Sequence, residues 1–292
     1  MIISRLSGGL GNQMFQYAFA LNMADRLQTE LKMDLGFFQT PQDPLVTPRN
    51  YELCVWQIPA QPASAAELKL FLNPQKKIFK RLFPGDTGTQ FRVIKEKQFR
   101  FDPALLNLGG NLYLDGYWQS EQYFSRIKEK IQRLFSLHTT LDETNARLEK
   151  TILNCESVAI HVRRMDYLKT PEILAFHGVM DVDYYQKAFA IFRDKFPDLK
   201  LFVFSDDPDW SAQNLKYDVP VTHINHNRKE NSYLDLWLMS RCKHQIIANS
   251  SFGWWAAWLN PNANKTVIAP RKWFAGSTPD TADLIPNSWT CL

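Results

Sequence analysis

Two adjacent arginines, Arg163 and Arg164, follow the apolar run Ser157–Ile160 and stand just past the carboxyl end of an expected strand spanning 157–162. Guanidinium groups held in a crevice need an anion, and a diphosphate matches two planar forks better than a single carboxylate does. The competing partner is local, because Asp166 can take one arginine and brace the loop. Two more polar stretches follow expected strands: Ser205-Asp206-Asp207 after Leu199–Phe204, and Asn249-Ser250-Ser251 after Gln245–Ala248. Paired aspartates accept hydrogen bonds from a base edge or a ribose diol, although they also suit helix capping before Pro208. Serines that open a helix offer hydroxyls and free N–H groups to a phosphate. In a parallel sheet all three strand ends share one edge, which is where open α/β sheets bind ligands.

A second constellation lies near the amino terminus. The expected strand Ile2–Leu6 runs into a tight turn, Ser7-Gly8-Gly9-Leu10-Gly11-Asn12-Gln13, and then a helix with Met14, Tyr17, Ala18 and Leu21 on one face. With a further strand at Leu31–Leu35 this is a βαβ unit. Gly9 and Gly11 nearly complete a dinucleotide fingerprint, and Asp34 sits where a ribose-binding acid would. An NAD-linked oxidoreductase is therefore an alternative reading. Against it, Met14 brings bulk to the position where the fingerprint needs a small residue.

Elements to position these residues are legible over most of the chain. Asn111–Leu114 reads as a strand ending in Asp115-Gly116-Tyr117-Trp118, with Ser120 capping a helix whose face carries Phe124, Ile127 and Ile131. Helices are expected over Ser64–Leu72, Lys76–Leu82 and Leu141–Leu153, and a loop from the arginine pair to Gly178. Beyond it, Tyr185, Ala188, Phe189 and Phe192 mark a helix, and another is expected over Glu230–Arg241. Short strands are expected at Val219–His223 and Thr266–Ala269, the latter closing the sheet. This alternation predicts parallel α/β architecture, with a boundary near Asn154 that divides the chain into 1–154 and 155–292. The proline-rich stretch from Pro41 to Gln90 carries little signal. Within it Lys76, Lys77, Lys80 and Arg81 alternate with apolar residues, so peripheral membrane contact competes there with an ordinary solvated helix face.

The 292 residues, 45% of them hydrophobic, suffice for one large or two ordinary domains. A net charge of +4 without a dense basic tract argues against a nucleic-acid partner. Cys54, Cys155, Cys242 and Cys291 have neither disulfide-scaffold nor zinc spacing, and His177, His223, His226 and His244 lack metal-ligand spacing. No apolar run reaches transmembrane length and the first residues do not form a signal peptide, so a cytoplasmic location is expected.

Four segments together resemble a known family: Gly8-Gly9-Leu10-Gly11-Asn12-Gln13-Met14-Phe15-Gln16-Tyr17, His161-Val162-Arg163-Arg164-Met165-Asp166-Tyr167, Phe204-Ser205-Asp206-Asp207 and Asn249-Ser250-Ser251-Phe252-Gly253-Trp254-Trp255. The chain resembles the α-1,2-fucosyltransferases of glycosyltransferase family 11, in the same order along nearly its whole length. The His-x-Arg-Arg-x-Asp element is shared with α-1,6- and protein O-fucosyltransferases, so transfer with another linkage stays open. The resemblance implies a GT-B fold, with two Rossmann-like domains facing a central cleft: an acceptor-side first domain and a GDP-fucose-binding second. It implies inverting transfer of L-fucose from GDP-β-L-fucose to the 2-hydroxyl of a terminal galactose in an oligosaccharide or surface polysaccharide, with no cofactor and no obligatory metal. A bacterial, cytoplasmic form is expected, for which peripheral contact of the basic stretch with the inner membrane stays an alternative to a solvated helix face.

Under this resemblance Arg163 is the leading diphosphate clamp and Arg164 the second, with Asp166, Ser205, Asp206, Asp207, Asn249, Ser250, Ser251 and Phe252 completing the donor site. His161 and Asn12 join Arg163 as candidates for the reacting centre, and Gly9, Asn12, Gln13, Asp115 and Trp118 for the acceptor side. Asp115, Glu121, Asp166 and His161 all stand as candidates for the general base.

Overall fold

The computed structural model describes residues 1–42, 47–73, 90–276 and 279–292. These divide into two compact units, one from residues 1–42 and 48–133, the other from Thr47 and 134–292. The expected boundary after 154 falls inside the second unit. The reason is visible in helix Glu143–Leu153, which is anchored to helix Ser232–Arg241 where Trp237 Nε1 donates to Glu149 (2.9 Å) and Arg241 pairs with the same carboxylate (3.4 Å).

Each unit is built on a parallel sheet. In the first, β1 (Ile2–Arg5), β2 (Leu31–Asp34), β3 (Gln61–Pro62), β4 (Phe91–Lys95) and β5 (Asn111–Asp115) lie in the order β3-β2-β1-β5-β4. β3 and β4 were not expected from the sequence, because neither shows the apolar periodicity of a buried strand. Helix Leu10–Arg26 follows β1 and is buried along most of its length, as a crossover helix on a parallel sheet must be. Helix Ala65–Leu72 starts at Ser64 with a complete capping box to Glu67. The helix expected after Ser120 is instead two 3-10 turns, Glu121–Tyr123 and Ser125–Ile127, leading into helix Lys128–Leu134. Lys76, Lys77, Lys80 and Arg81 lie outside the described residues.

The second unit holds β6 (Glu156–Val162), β7 (Leu199–Ser205), β8 (Val221–Ile224), β9 (His244–Ile246), β10 (Val267–Ala269) and β11 (Thr290–Cys291) in the order β11-β10-β9-β6-β7-β8. β10 does not close this sheet; β11 pairs beyond it. Val158, Ile160, Leu201, Val203, Tyr185, Phe189 and Phe192 form the core between sheet and helix Val182–Lys195. Burying each such side chain contributes about 1.5–3 kcal/mol. Helix Ser251–Leu259 has Trp254, Trp255 and Trp258 all buried, so it is a core helix, not an amphipathic surface one. The stretch expected as a loop before Gly178 contains helix Pro171–His177, started by Thr170, whose hydroxyl accepts from Ile173 N, and by Pro171 in its first turn. That Thr-Pro start was the available signal.

The first strand of each unit lies mid-sheet; the second sheet builds outward from it in both directions, whereas in the first β4 takes the far edge and β5 fills in beside β1. The switch points are therefore between β1 and β5, and between β6 and β9.

Candidate active site

At the second switch point, the β6–β7 register sets Val162 opposite Ser205, which brings Arg163 beside Asp206. Arg163 is ion-paired with Asp166, and its Nη1 lies 3.4 Å from Asp206 Oδ2. Its guanidinium stands 5.9 Å from the Tyr167 ring centroid, and that ring stacks flat on His177 at 4.4 Å. Tyr167 donates from its hydroxyl to Asn249 O (2.9 Å), and Asn249 Nδ2 donates to His177 O (2.8 Å) and Trp273 O (3.0 Å). The loop carrying Arg163 is thus tied to the end of β9 by aromatic stacking and hydrogen bonds.

Arg164 turns differently. Its guanidinium lies over Trp210 at 3.7 Å and its Nε is 3.7 Å from Asp207 Oδ2. Asp207 Oδ1 accepts from Trp210 N (3.2 Å) and caps helix Pro208–Asn214, so the capping alternative is realised for this acid. Asp206 Oδ1 accepts from Arg164 N (2.8 Å), and Ser205 Oγ accepts from Asp207 N (2.9 Å). Asp166 Oδ1 also accepts from Thr47 Oγ1 (2.7 Å).

Across the switch point, Ser250 caps helix Ser251–Leu259 by accepting from Phe252 N (3.3 Å). His161 lies beneath this helix: it is 5% exposed, and a Cβ at Gly253 would fall 2.5 Å from its Nδ1. Burial first, and Arg163 second, lower its pKa to about 3, so it is a neutral imidazole in the floor of the site and supplies no cation. Burial raises the Asp206 pKa, and Arg163 opposes that rise; burial and then Arg163 lower that of His177. Four polar atoms here, His161 Nδ1, Arg164 Nε, Asp206 Oδ2 and Asn249 Oδ1, are buried without a hydrogen-bond partner. Buried polar atoms are rarely left so except where a ligand or function calls for them.

The first unit has its own polar edge at the β1–β5 switch. Gly8 adopts φ +73°, and a Cβ there would meet Asn12 Nδ2 at 2.6 Å, so glycine is required. The helix begins at Leu10, which puts Gly11, Asn12 and Gln13 in its first turn and not in a tight turn. Asn12 Oδ1 accepts from Gln119 Nε2 (2.8 Å), Asp115 pairs with Arg5 (2.9 Å), and the Arg49 guanidinium lies over Gly9, 3.6 Å from where a Cβ would be. Arg49 was missed because it sits in the unreadable proline-rich stretch.

Two acceptor-side expectations are corrected. Gln13 is fully buried and its amide is consumed internally: Nε2 donates to Gly8 O and Asn50 O (both 2.8 Å), and Oε1 accepts from Glu52 N (2.9 Å) and Leu53 N (3.3 Å). Trp118 is fully buried at φ +57°, packed on Phe19 (5.0 Å) and Tyr123 (5.8 Å). Glu96, which carried no sequence signal, holds this turn by accepting from Tyr117 N (2.7 Å) and Trp118 N (3.0 Å). The dinucleotide alternative also loses its supports. Met14 is fully buried, and Asp34 is spent on the Tyr113 hydroxyl (2.5 Å) and Gly36 N (2.8 Å). Among the described residues no group of three or more His, Cys, Asp or Glu is placed to hold a metal ion, and no helix is long and apolar enough to cross a membrane.

Two parallel α/β units, the second with arginines and a helix amino end at its switch point, make up a fold of the GT-B type. A GDP complex of an Arabidopsis thaliana FUT1 mutant shares this fold, with a TM-score of 0.53 at 14% identity over 99% of this chain and 75% of that one. The chain belongs to glycosyl transferase family 11, whose model matches residues 76–290. It is 32% identical to the O-antigen biosynthesis glycosyltransferase WbnK of Escherichia coli, over 99% of both chains. It is 31% identical to an alpha-1,2-colitosyltransferase of Escherichia coli, over 99% of this chain and 98% of that one. Human galactoside alpha-(1,2)-fucosyltransferase 1 matches at 31% identity over 51% of this chain and 43% of its own.

Proposed function

We propose that the protein transfers L-fucose from GDP-β-L-fucose to the 2-hydroxyl of a terminal galactose, with inversion at the anomeric carbon and without an obligatory metal. The observation that carries this reading is the arginine-bearing loop after β6 opposite the amino end of helix Ser251–Leu259. In such a transfer the acceptor oxygen bonds to C1 as the bond from C1 to the β-phosphate oxygen breaks, and the acceptor hydroxyl gives up its proton to a base or to solvent. Positive charge develops on the sugar ring and negative charge on the departing GDP. Fixed donors aimed at that negative charge lower the barrier. Arg163 is the clamp in this account, because its guanidinium is a quarter exposed at the strand end while Arg164 is stacked away on Trp210. Ser250 and Ser251 add the helix end. Asn12 and Asp115, at the first unit's switch point, serve the acceptor.

A second donor deserves the same assay, since a colitosyltransferase is matched over nearly the whole chain. Colitose is L-fucose without its 3-hydroxyl, so the two donors share their diphosphate chemistry. The test is transfer from GDP-fucose and from GDP-colitose to lactose in EDTA, with the product linkage read by NMR. An α-1,2-fucosylated product supports the proposal. Transfer from GDP-colitose alone replaces the donor, another linkage replaces the acceptor hydroxyl, and dependence on added metal overturns the metal-free mechanism.

A further inference from the structure

Asp206 is engaged on two sides within the protein itself. Its Oδ1 accepts the Arg164 main-chain N–H at 2.8 Å, and its Oδ2 faces Arg163 Nη1 at 3.4 Å. Its neighbour Asp207 points elsewhere, capping helix Pro208–Asn214 and facing Arg164 Nε. One carboxylate therefore holds the course of the chain leaving β6 by a hydrogen bond and sets a buried negative charge beside the guanidinium that this chain carries, which Asp166 pairs from the other side. The Asp206 side chain is only 18% exposed and Oδ2 is itself buried beside Arg163, so a guanine edge could not take both oxygens without displacing that arginine.

We propose that Asp206 is a positioning residue for Arg163, acting on the donor's diphosphate through that arginine and not by contacting the nucleoside. The proposal rests on the reading of this site as a GDP-sugar site. It makes a distinction that direct base recognition does not: the effect of Asp206 depends on the ligand having a diphosphate.

The test is calorimetric or competitive titration of the full chain with GDP and with guanosine, for the wild type, Asp206→Asn, Arg163→Lys and the double variant. Asparagine keeps an acceptor for Arg164 N, and a thermal melt checks that each variant is folded. Should Asp206→Asn not fold, Asp206→Glu, which keeps the charge but displaces it, takes its place. The expected result is a loss of GDP affinity of about tenfold or more in Asp206→Asn with guanosine affinity unchanged. In the Arg163→Lys background the same substitution then costs little further, because the two residues act as one unit. Equal losses for GDP and guanosine would show that Asp206 reads the nucleoside, and unchanged GDP affinity would show that it does neither; both overturn the proposal. A wild type that binds no GDP overturns the nucleotide-site reading itself, and the positioning role with it.

Discussion

At the scale of single residues, geometry separates side chains that adjoin in sequence. Arg163 and Arg164 are neighbours, yet one stands among Asp166, Asp206 and Tyr167 while the other lies on Trp210. Replacing Arg163 by lysine should lower kcat/KM by about a hundredfold, since a point charge cannot reproduce a bidentate phosphate contact. Near-normal steady-state kinetics for that variant would remove Arg163 from the clamp. His161 gives a pH prediction with a definite sign. Its folded pKa is held near 3 by burial, below the unfolded value of 6.5, so the unfolded chain binds the extra proton at intermediate pH. Its contribution to stability is intact above about pH 6.5 and is lost as pH falls from there toward 3. Denaturant titrations should show wild type losing about 1.4 kcal/mol per pH unit more than His161→Gln between pH 6 and 4. Parallel pH profiles would mean the imidazole is not buried neutral. Gly253→Ala drives a methyl into the same ring and should cost about 1–3 kcal/mol in unfolding free energy.

At the scale of elements, what the sequence shows depends on whether a segment satisfies itself locally or through distant partners. β6, β7 and helix Val182–Lys195 announce themselves by apolar period, whereas helix Pro171–His177 buries no residue and shows no such face. β3 and β4 do not announce themselves, because strands this short or this exposed are held by their neighbours more than by their own pattern. The same contrast runs through the site. That Arg163, Asp206 and Ser250 gather at one edge follows from strands, turns and parallel order alone. That Gln13 and Trp118 are structural could not be read locally, because their partners, Asn50, Glu52, Leu53 and Tyr123, come from other segments. Gln13→Ala therefore breaks the link between the first turn of helix Leu10–Arg26 and residues 50–53. It should destabilise the protein by about 3 kcal/mol through several unsatisfied buried groups, seen as a lower melting temperature. A melting temperature equal to wild type would return Gln13 to the acceptor side.

At the scale of the whole molecule, two parallel sheets each present a switch point, and among the described residues the second surrounds it with paired arginines and a capped helix end. All four cysteines are free thiols, so reductant should leave the melting temperature unchanged. Exposed Cys54 should react promptly with a thiol reagent and buried Cys242 only after unfolding. The central claim is that a nucleotide diphosphate binds at the second sheet's carboxyl edge. A crystal structure with GDP tests it most directly. The account predicts the β-phosphate against the Arg163 guanidinium and the Ser250–Ser251 end of helix Ser251–Leu259. A diphosphate seated instead on the Gly8–Gly11 turn, with Arg163 still bound to Asp166, would contradict it.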